Sequence, residues 1–450
     1  MKIRFAFVAT LTLFCSLTAL AGEERAVTQG SAAQSKKLIE YGFEGRFRSE
    51  AWNNVDFNST LPDSRNQFRF RTKFWTNVPL GQHVDVFMQL GNEFKKQATP
   101  ELKFDPDEVF VDSFYVNVKD LFTRGLNLRV GRQNFFRGEG MVLMDGSPLE
   151  GSRGFYYNAI NLSYSWRKSN LELIGIYNPR RDRFLPRVNN KDKYLNEWDE
   201  QAIGLYYSDK NHSRSEWESY YFYKKELHDY RAKTNPQFQS DRYLHTTGGR
   251  LVQTFGKGFT ATGEAALQLG RQHPGVDVRG WSAYGYVKKS FVARGTPYVL
   301  AGNWAMSGDD PRTDAVEGWD PLFSRWPRWS DLYIYSQVRE KGVSYWTNTA
   351  LMQAEAGFTP HKKVALRATY YHMRAFHPFP GEASVFSKGK HRGDLLQARV
   401  DFKLNDAVRG HLQYESLLPG NFYSGQTSGH FVRSELVYQF KGLLHPWKSR

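Results

Sequence analysis

The stretch Ile39-Glu40-Tyr41-Gly42-Phe43-Glu44-Gly45-Arg46-Phe47-Arg48-Ser49-Glu50-Ala51 alternates in character from one residue to the next. Its odd-numbered positions carry Ile, Tyr and Phe, whereas Glu and Arg occupy most even-numbered ones. Because successive side chains of a strand point to opposite faces, this period of two predicts a β-strand with one apolar and one charged face. The segments 67–78 and 83–94 repeat the pattern. A soluble periplasmic all-β protein would alternate in the same way, so these strands alone leave both it and a membrane barrel open.

The breaks between alternating segments divide the chain into eighteen predicted strands. They lie at 39–51, 67–78, 83–94, 109–118, 126–133, 159–166, 171–177, 201–207, 217–224, 243–254, 259–269, 280–288, 297–306, 345–358, 364–372, 395–404, 408–416 and 431–440. Short connections such as 256–258 tend to alternate with long ones such as 307–344. This pattern is typical of outer-membrane proteins and predicts an all-β fold, a transmembrane antiparallel β-barrel of about 18 strands. We expect short periplasmic turns, long extracellular loops and both termini in the periplasm.

Composition excludes several other classes of protein. Residues 1–21 are predicted to be a signal peptide and contain the only cysteine, Cys15. The mature chain therefore has no thiol for a disulfide, a metal site or a nucleophile. Hydrophobic residues are 40% of the chain and aromatic residues 16%. After the signal peptide, no stretch approaches the roughly 18 consecutive apolar residues of a membrane helix. These features favour the bacterial outer membrane, where aromatic girdles contact lipid.

The predicted domain organisation is simple. A polar periplasmic tail at 22–38 precedes the barrel at 39–440, and a C-terminal extension at 441–450 follows it. The tail is too short to be the plug domain of a large transporter. No linker and no internal repeat divides the rest, so we predict one barrel domain.

Catalytic and nucleic-acid-binding signals are missing from the sequence. The 12 histidines show neither HExxH nor clustered ligand spacing, and no Gly-x-Ser-x-Gly elbow occurs. We therefore predict no enzymatic activity, no cofactor and no metal. A barrel hydrolase with a Ser/His pair from different strands is a weaker alternative. The formal net charge is +15, but the basic residues alternate with acids along strands, which argues against a nucleic-acid partner.

The charged face of each strand should line the lumen if the apolar face meets lipid. Opposite charges on neighbouring strands would pair and brace the wall. The excess of arginine is the functional feature, because guanidinium is always charged and offers a planar fork to carboxylates. We predict that the lumen constriction and substrate-binding residues are Arg46, Arg48, Arg69, Arg71, Lys73, Arg129, Arg367, Arg399, Arg409, Arg433, Glu93 and Glu415.

Arg132 departs from the alternation. Strict parity turns it toward lipid while Arg129 points inward. Either Gly131 marks a bulge, or Arg132 lies at the rim of the membrane.

The long connection at 307–344 is rich in tryptophan. Trp319, Trp326 and Trp329 lie there among acidic and basic residues. Indole faces of this kind can stack on sugar rings, but aromatic residues at a membrane interface also serve as girdle anchors. Both interpretations stay open.

Several short segments carry a family resemblance through their order and spacing. They are LRVGRQ at 128–133, EGSRG at 150–154, SGDD at 307–310, WDPLF at 319–323, RGDLL at 392–396, HLQYE at 411–415 and PGNFY at 419–423. From about residue 40 to residue 440, the chain resembles the alginate export porin family of bacterial outer membranes. The resemblance implies a monomeric 18-stranded barrel with an arginine-rich constriction that passes an anionic polysaccharide. By motif position it places Arg48, Arg71, Arg129 and Arg409 in that constriction.

Together these observations predict a passive outer-membrane channel. Its expected solute is an anionic, alginate-like polysaccharide or oligosaccharide, and its expected partners are membrane lipid and periplasmic export or uptake proteins. A general or differently selective porin is the alternative within the same fold.

Overall fold

A computed structural model of the chain describes residues 38–60, 63–104, 106, 108–144, 157–185, 189, 198–227, 241–324, 329–341 and 346–444. The predicted signal peptide, the tail up to residue 37, the motif at 150–154, Trp326 and residues 445–450 lie outside this set.

Twenty strands and one helix form in chain order. They are β1 (Ile39–Asn53), β2 (Arg65–Pro79), β3 (Val84–Thr99), β4 (Val109–Val118), β5 (Leu126–Gln133), β6 (Leu143–Met144), β7 (Tyr157–Trp166), β8 (Ser169–Asn178), β9 (Asp199–Asp209), β10 (Ser215–Leu227), β11 (Arg242–Gly256), β12 (Phe259–Gln272), β13 (Val276–Ser290), β14 (Tyr298–Met306), β15 (Phe323–Ser324), α1 (Leu332–Lys341), β16 (Thr349–His361), β17 (Val364–Arg374), β18 (His391–Lys403), β19 (Val408–Pro419) and β20 (Gly429–Leu444).

Eighteen of these strands form one closed antiparallel sheet. Each pairs with its neighbours along the chain, and β1 closes the barrel by pairing with both β2 and β20. The predicted fold is confirmed, and each observed barrel strand overlaps one predicted from alternation. The last strand is longer than predicted and reaches Leu444, because Ile39 and Glu40 of β1 supply backbone partners for Leu444 and Leu443.

The connections differ in length at the two ends of the barrel. One end has tight turns such as 167–168 and 257–258, and it also holds the ends of β1 and β20. The other end carries longer connections, which we number L1 to L9 in chain order. Those used below are L1 (54–64), L3 (134–156), L7 (307–348), L8 (375–390) and L9 (420–428). Long loops mark the extracellular side of such barrels. The exception is L6 (273–275), which has turn length.

The two faces of the barrel wall differ as the sequence predicted. Large apolar side chains such as Ile160 (54% exposed), Leu267 (62%) and Leu396 (57%) point outward. On β1, the alternate residues Arg46 and Arg48 are buried on the inner side, where they face other charged groups. Apolar residues can face lipid at no cost, whereas the charged groups need partners or water.

Helical structure is confined to L7 among the residues described. Helix α1 is 10 residues long. No helix in this part of the chain has the length and apolar character needed to cross a membrane.

Candidate functional site in the barrel lumen

Loop L7 crosses the lumen from one wall to the other. At one end, Asp320 forms an ion pair with Arg242 of β11, and its backbone N–H donates to Gln268 of β12 at 2.9 Å. Further along, Asp331 accepts two hydrogen bonds from Arg433 of β20, at 2.8 and 2.9 Å. Strands β11 and β20 lie on opposite sides in the closed strand order. The loop therefore divides the interior of the barrel.

Loop L3 meets L7 inside the barrel. Their short strands β6 and β15 pair in parallel, with Leu143 opposite Phe323. The hydroxyl of Tyr157 donates to the backbone oxygens of Met144 (3.1 Å) and Phe323 (3.2 Å). These side chains belong to an apolar cluster that also includes Trp319 and inward residues of several wall strands. Apolar burial thus holds the two loops within the lumen.

The N-terminus of α1 rests on a carboxylate of the wall. Glu415 of β19 is fully buried and accepts hydrogen bonds from the hydroxyl of Ser330 (2.5 Å) and from the N–H groups of Asp331 (3.0 Å) and Leu332 (3.1 Å). A negative charge at this position satisfies the free N–H groups of the helix and its dipole. Glu415, predicted as a lumen residue, is therefore an anchor for L7.

The opposite end of α1 is held by an arginine. Arg392 of β18 is fully buried and donates to both carboxylate oxygens of Glu340, at 2.6 and 2.7 Å. It also donates to the Tyr333 hydroxyl at 2.5 Å and to the backbone oxygen of Asn348 at 2.8 Å. Burial raises the pKa of the Tyr333 hydroxyl, which keeps it protonated. Both ends of α1 are thus fixed by charge-assisted hydrogen bonds.

Most of the predicted constriction residues lie on one wall, formed by β1, β2, β3, β19 and β20. There they make ion pairs with carboxylates. The pairs are Arg46–Glu93 (3.0 Å), Arg48–Glu435, Arg69–Glu50 (3.2 Å), Arg71–Glu44 (2.7 Å), Lys73–Asp112 (3.4 Å) and Arg433–Glu50 (2.8 Å). We call this set the paired ladder.

The paired ladder is largely shielded from water. The side chains of Arg48 and Arg433 are 1% and 2% exposed, and that of Glu50 is 0% exposed. Removing one partner of a buried pair leaves an uncompensated charge and typically costs about 3–5 kcal/mol. In this structure the ladder charges bind one another across strands and brace the wall, one of the two roles that the sequence suggested. Their contact with substrate stays a prediction.

A second group of predicted residues is open to the lumen, on β17, β18 and β19. Arg367 is exposed and makes no hydrogen bond or ion pair with the residues that the structure describes. It lies directly opposite Arg399, whose side chain is 23% exposed and pairs with Asp401 at 2.8 Å. Arg409 is 45% exposed and lies 3.5 Å from Glu44. We call Arg367, Arg399 and Arg409 the open arginines.

A small cavity of about 50 Å³ lies beneath the N-terminus of α1. Arg367, Thr369, Gln397 and Arg399 line it together with Gln413, and Glu415 closes it toward the helix. The cavity connects the open arginines with L7. Its lining consists of charged and hydrogen-bonding groups, which suits an anionic or polyhydroxylated group better than an apolar one.

Arg129 is held apart from the open arginines, on β5. Its Nε donates to Asn117 at 2.6 Å, and its guanidinium lies over the Tyr115 ring, 4.6 Å from the centroid. Arg132 faces the other way and is 2% exposed. It donates to Asp182 at 2.6 and 2.9 Å. Pairing of β5 is continuous through Gly131, so the rim interpretation of Arg132 holds and that of a bulge does not.

The tryptophans of L7 do not present open ring faces. Trp319 is 2% exposed and Trp329 is 5% exposed, each inside an apolar cluster. Because L7 folds into the barrel, rings predicted to stack on sugar pack against the wall instead. Trp326 lies outside the described residues.

The wall opposite the paired ladder carries a group that the sequence did not single out. Tyr220 and Tyr284 both donate to Glu264, at 2.9 and 2.7 Å, and Tyr206 donates to Glu218 at 2.7 Å. Counting tyrosine as apolar hid these hydroxyls, although their parity matches the inward face. The lumen is therefore asymmetric, with arginine–carboxylate pairs on one wall and tyrosine–carboxylate pairs on the other.

Comparison with known proteins places this architecture in a family. The family model for alginate export matches residues 37–434. The chain belongs to the alginate export family. No curated protein matches it significantly.

Solved structures agree with the family on fold. *Pseudomonas aeruginosa* OccK1 (OpdK) superposes with a TM-score of 0.57 at 12% identity, over 90% of this chain and 99% of that one. OccK5 (OpdH) from the same organism gives 0.56 at 10% identity, over 90% and 98%. At this identity the likeness concerns the fold alone. This alginate export family member is thus an outer-membrane β-barrel of the channel type, as predicted.

Proposed function

We propose that this barrel is a passive, anion-preferring channel for an acidic, alginate-like polysaccharide or oligosaccharide. The observation that carries the proposal is the pair Arg367 and Arg399. Two guanidinium groups opposite each other on neighbouring strands repel, and Asp401 compensates only Arg399. A carboxylate passing Arg367 would supply the missing negative charge.

The strength of this interaction suits transit. A carboxylate about 4 Å from a guanidinium gains about 1 kcal/mol in water and several times that near a protein surface. Conduction requires binding that favours entry yet permits release, with several sites in succession. Arg409 and the pair Arg367–Arg399 offer such sites along the same wall.

Further properties belong to the same proposal. The channel acts as a monomer, without a cofactor and without covalent chemistry, and it works with periplasmic export or uptake partners. A general porin would share the fold but would not distinguish uronates from other solutes. A barrel hydrolase would need a Ser/His pair at a water-accessible position.

Planar-bilayer recording tests the proposal. The wild type should prefer anions and be blocked by oligouronates but not by neutral oligosaccharides of equal length. Arg367→Glu changes the lumen charge by two units and should lower both anion preference and block. Arg374→Glu is the matched control, because it makes the same change on the same strand at a position of the opposite, outward parity.

The outcomes separate the three functions. Equal block and selectivity in Arg367→Glu and Arg374→Glu would leave a general porin whose arginines only brace the wall. Release of cleaved product from the oligouronate by the wild type would support the hydrolase.

A further inference from the structure

Three potential metal ligands meet at the extracellular end of the wall, outside the lumen. His372 is two residues from the end of β17, His391 begins β18, and Asp394 lies three residues further on. Their ligand atoms all lie within 4.8 Å of one another. Nδ1 of His372 is 2.9 Å from Oδ1 of Asp394, and Nε2 of His391 is 3.5 Å from Oδ2.

A bulge in β18 brings these side chains onto one face. Residues three apart in a regular strand point to opposite faces. Here Met373 pairs with Gly393 and Arg374 pairs with His391, so Arg392 is left over. The bulge directs Arg392 inward to Glu340 and returns His391 to the outer face beside Asp394. Gly393 permits it by adopting a φ of 134°.

We propose that His372, His391 and Asp394 bind a divalent transition-metal ion, with zinc as the representative ion. Two imidazoles and one carboxylate are a frequent ligand set for such ions, and they leave a coordination position open. Ligand atoms that share a zinc ion lie about 3.0–3.4 Å apart, given bond lengths of about 2.1 Å. The two close separations within the triad are near this range, and ring rotation can close the third.

Neighbouring groups support the site. The Tyr370 hydroxyl donates to Oδ1 of Asp394 at 2.6 Å and so orients the carboxylate, as outer-shell partners of metal ligands do. Nε2 of His391 is shielded from solvent and makes no hydrogen bond to any described residue. The positive Arg374 lies opposite His391, but it is exposed and its charge is screened by water.

The bound ion would act as a clasp at the base of L8. His372 precedes this loop and His391 follows it. L8 contacts L9 through hydrogen bonds from Ser387 N–H to the Phe422 oxygen (2.9 Å) and from Ser424 N–H to the Val385 oxygen (3.0 Å). Closing the base of L8 would therefore stabilise the extracellular surface. This role is independent of the solute that the channel carries.

Equilibrium dialysis of zinc against the refolded, tag-free protein in detergent tests the proposal. The wild type should bind one ion per chain at the triad. The double variant His372→Ala/His391→Ala should lose that ion, and Tyr370→Phe should weaken binding by about 10–100-fold. His430→Ala is the matched control, because His430 is also hydrogen-bonded to an exposed tyrosine, Tyr414, on the outer face.

A second measurement separates metal binding from a merely structural triad. Zinc should slow protease cleavage within L8 in the wild type and in His430→Ala, but not in the double variant. Heat-modifiable migration on gels verifies that each variant has folded. Equal zinc stoichiometry in the double variant and in His430→Ala, or a wild type whose L8 cleavage ignores zinc, overturns the proposal.

Discussion

Removing Glu340 should release α1 from the wall and enlarge the ion path. The Glu340 carboxylate is 3% exposed and binds Arg392, which is 0% exposed, through two hydrogen bonds of 2.6 and 2.7 Å. In Glu340→Ala the guanidinium would stay buried without its counter-charge. Its only route to water is to undock the helix that covers it.

The magnitude follows from the burial of this pair. Deleting one partner of a buried ion pair typically costs about 3–5 kcal/mol. Arg392 would keep its hydrogen bonds to Tyr333 and to the Asn348 oxygen, so we expect the lower part of that range. At 1.4 kcal/mol per factor of ten, the balance between docked and undocked α1 should shift by about two orders of magnitude.

Single-channel recording measures the result. Glu340→Ala should show a higher mean conductance and frequent transitions, together with faster protease cleavage within L7. Glu382→Ala is the matched control, because Glu382 is an exposed glutamate in the neighbouring loop L8. If Glu340→Ala matches Glu382→Ala in conductance and in cleavage, then α1 does not limit the pore and the argument from burial fails.

Two further predictions concern assembly. Gly131→Ala should impair refolding into vesicles, because Gly131 has a φ of 128° and a new Cβ would lie 2.3 Å from the Phe114 oxygen, whereas Gly175→Ala should refold normally because its Cβ would meet nothing within 4 Å. Leu267→Arg should lower the free energy of unfolding in vesicles by about 2–4 kcal/mol if this lipid-facing position lies near the bilayer midplane. Val292→Arg, at a fully exposed turn, should change it little, and the opposite order of the last two would refute the assigned face.

The arginines in the lumen form two populations with different consequences for selectivity. Members of the paired ladder are neutralised by carboxylates on adjacent strands, so they contribute stiffness more than field. The open arginines face water and are less compensated. Selectivity should therefore depend on a few residues of β17, β18 and β19 rather than on the total count of lumen arginines.

Alternation alone determined the barrel. Each strand buries no solid core but places one face toward lipid and one toward the lumen, so the period of two records the environment of every second residue. For that reason the number of strands, the inward parity of Arg46 or Arg399 and the lengths of most connections could be predicted without a structure. The helix in L7 could not, because its sequence lies in a long loop whose packing partners come from distant strands.

Only the tertiary structure decided which charges are free. Arg48 and Arg367 share the same inward parity, yet one is buried against Glu435 and the other is exposed. The difference arises from register, which sets the residue opposite each side chain, and from L7, which covers one wall and leaves part of another open. Similarly, the bulge at Arg392 joins His391 to Asp394, although strict alternation would separate them. Alternation fixes the face on which a side chain lies, but pairing between strands and the path of the loops fix its partners.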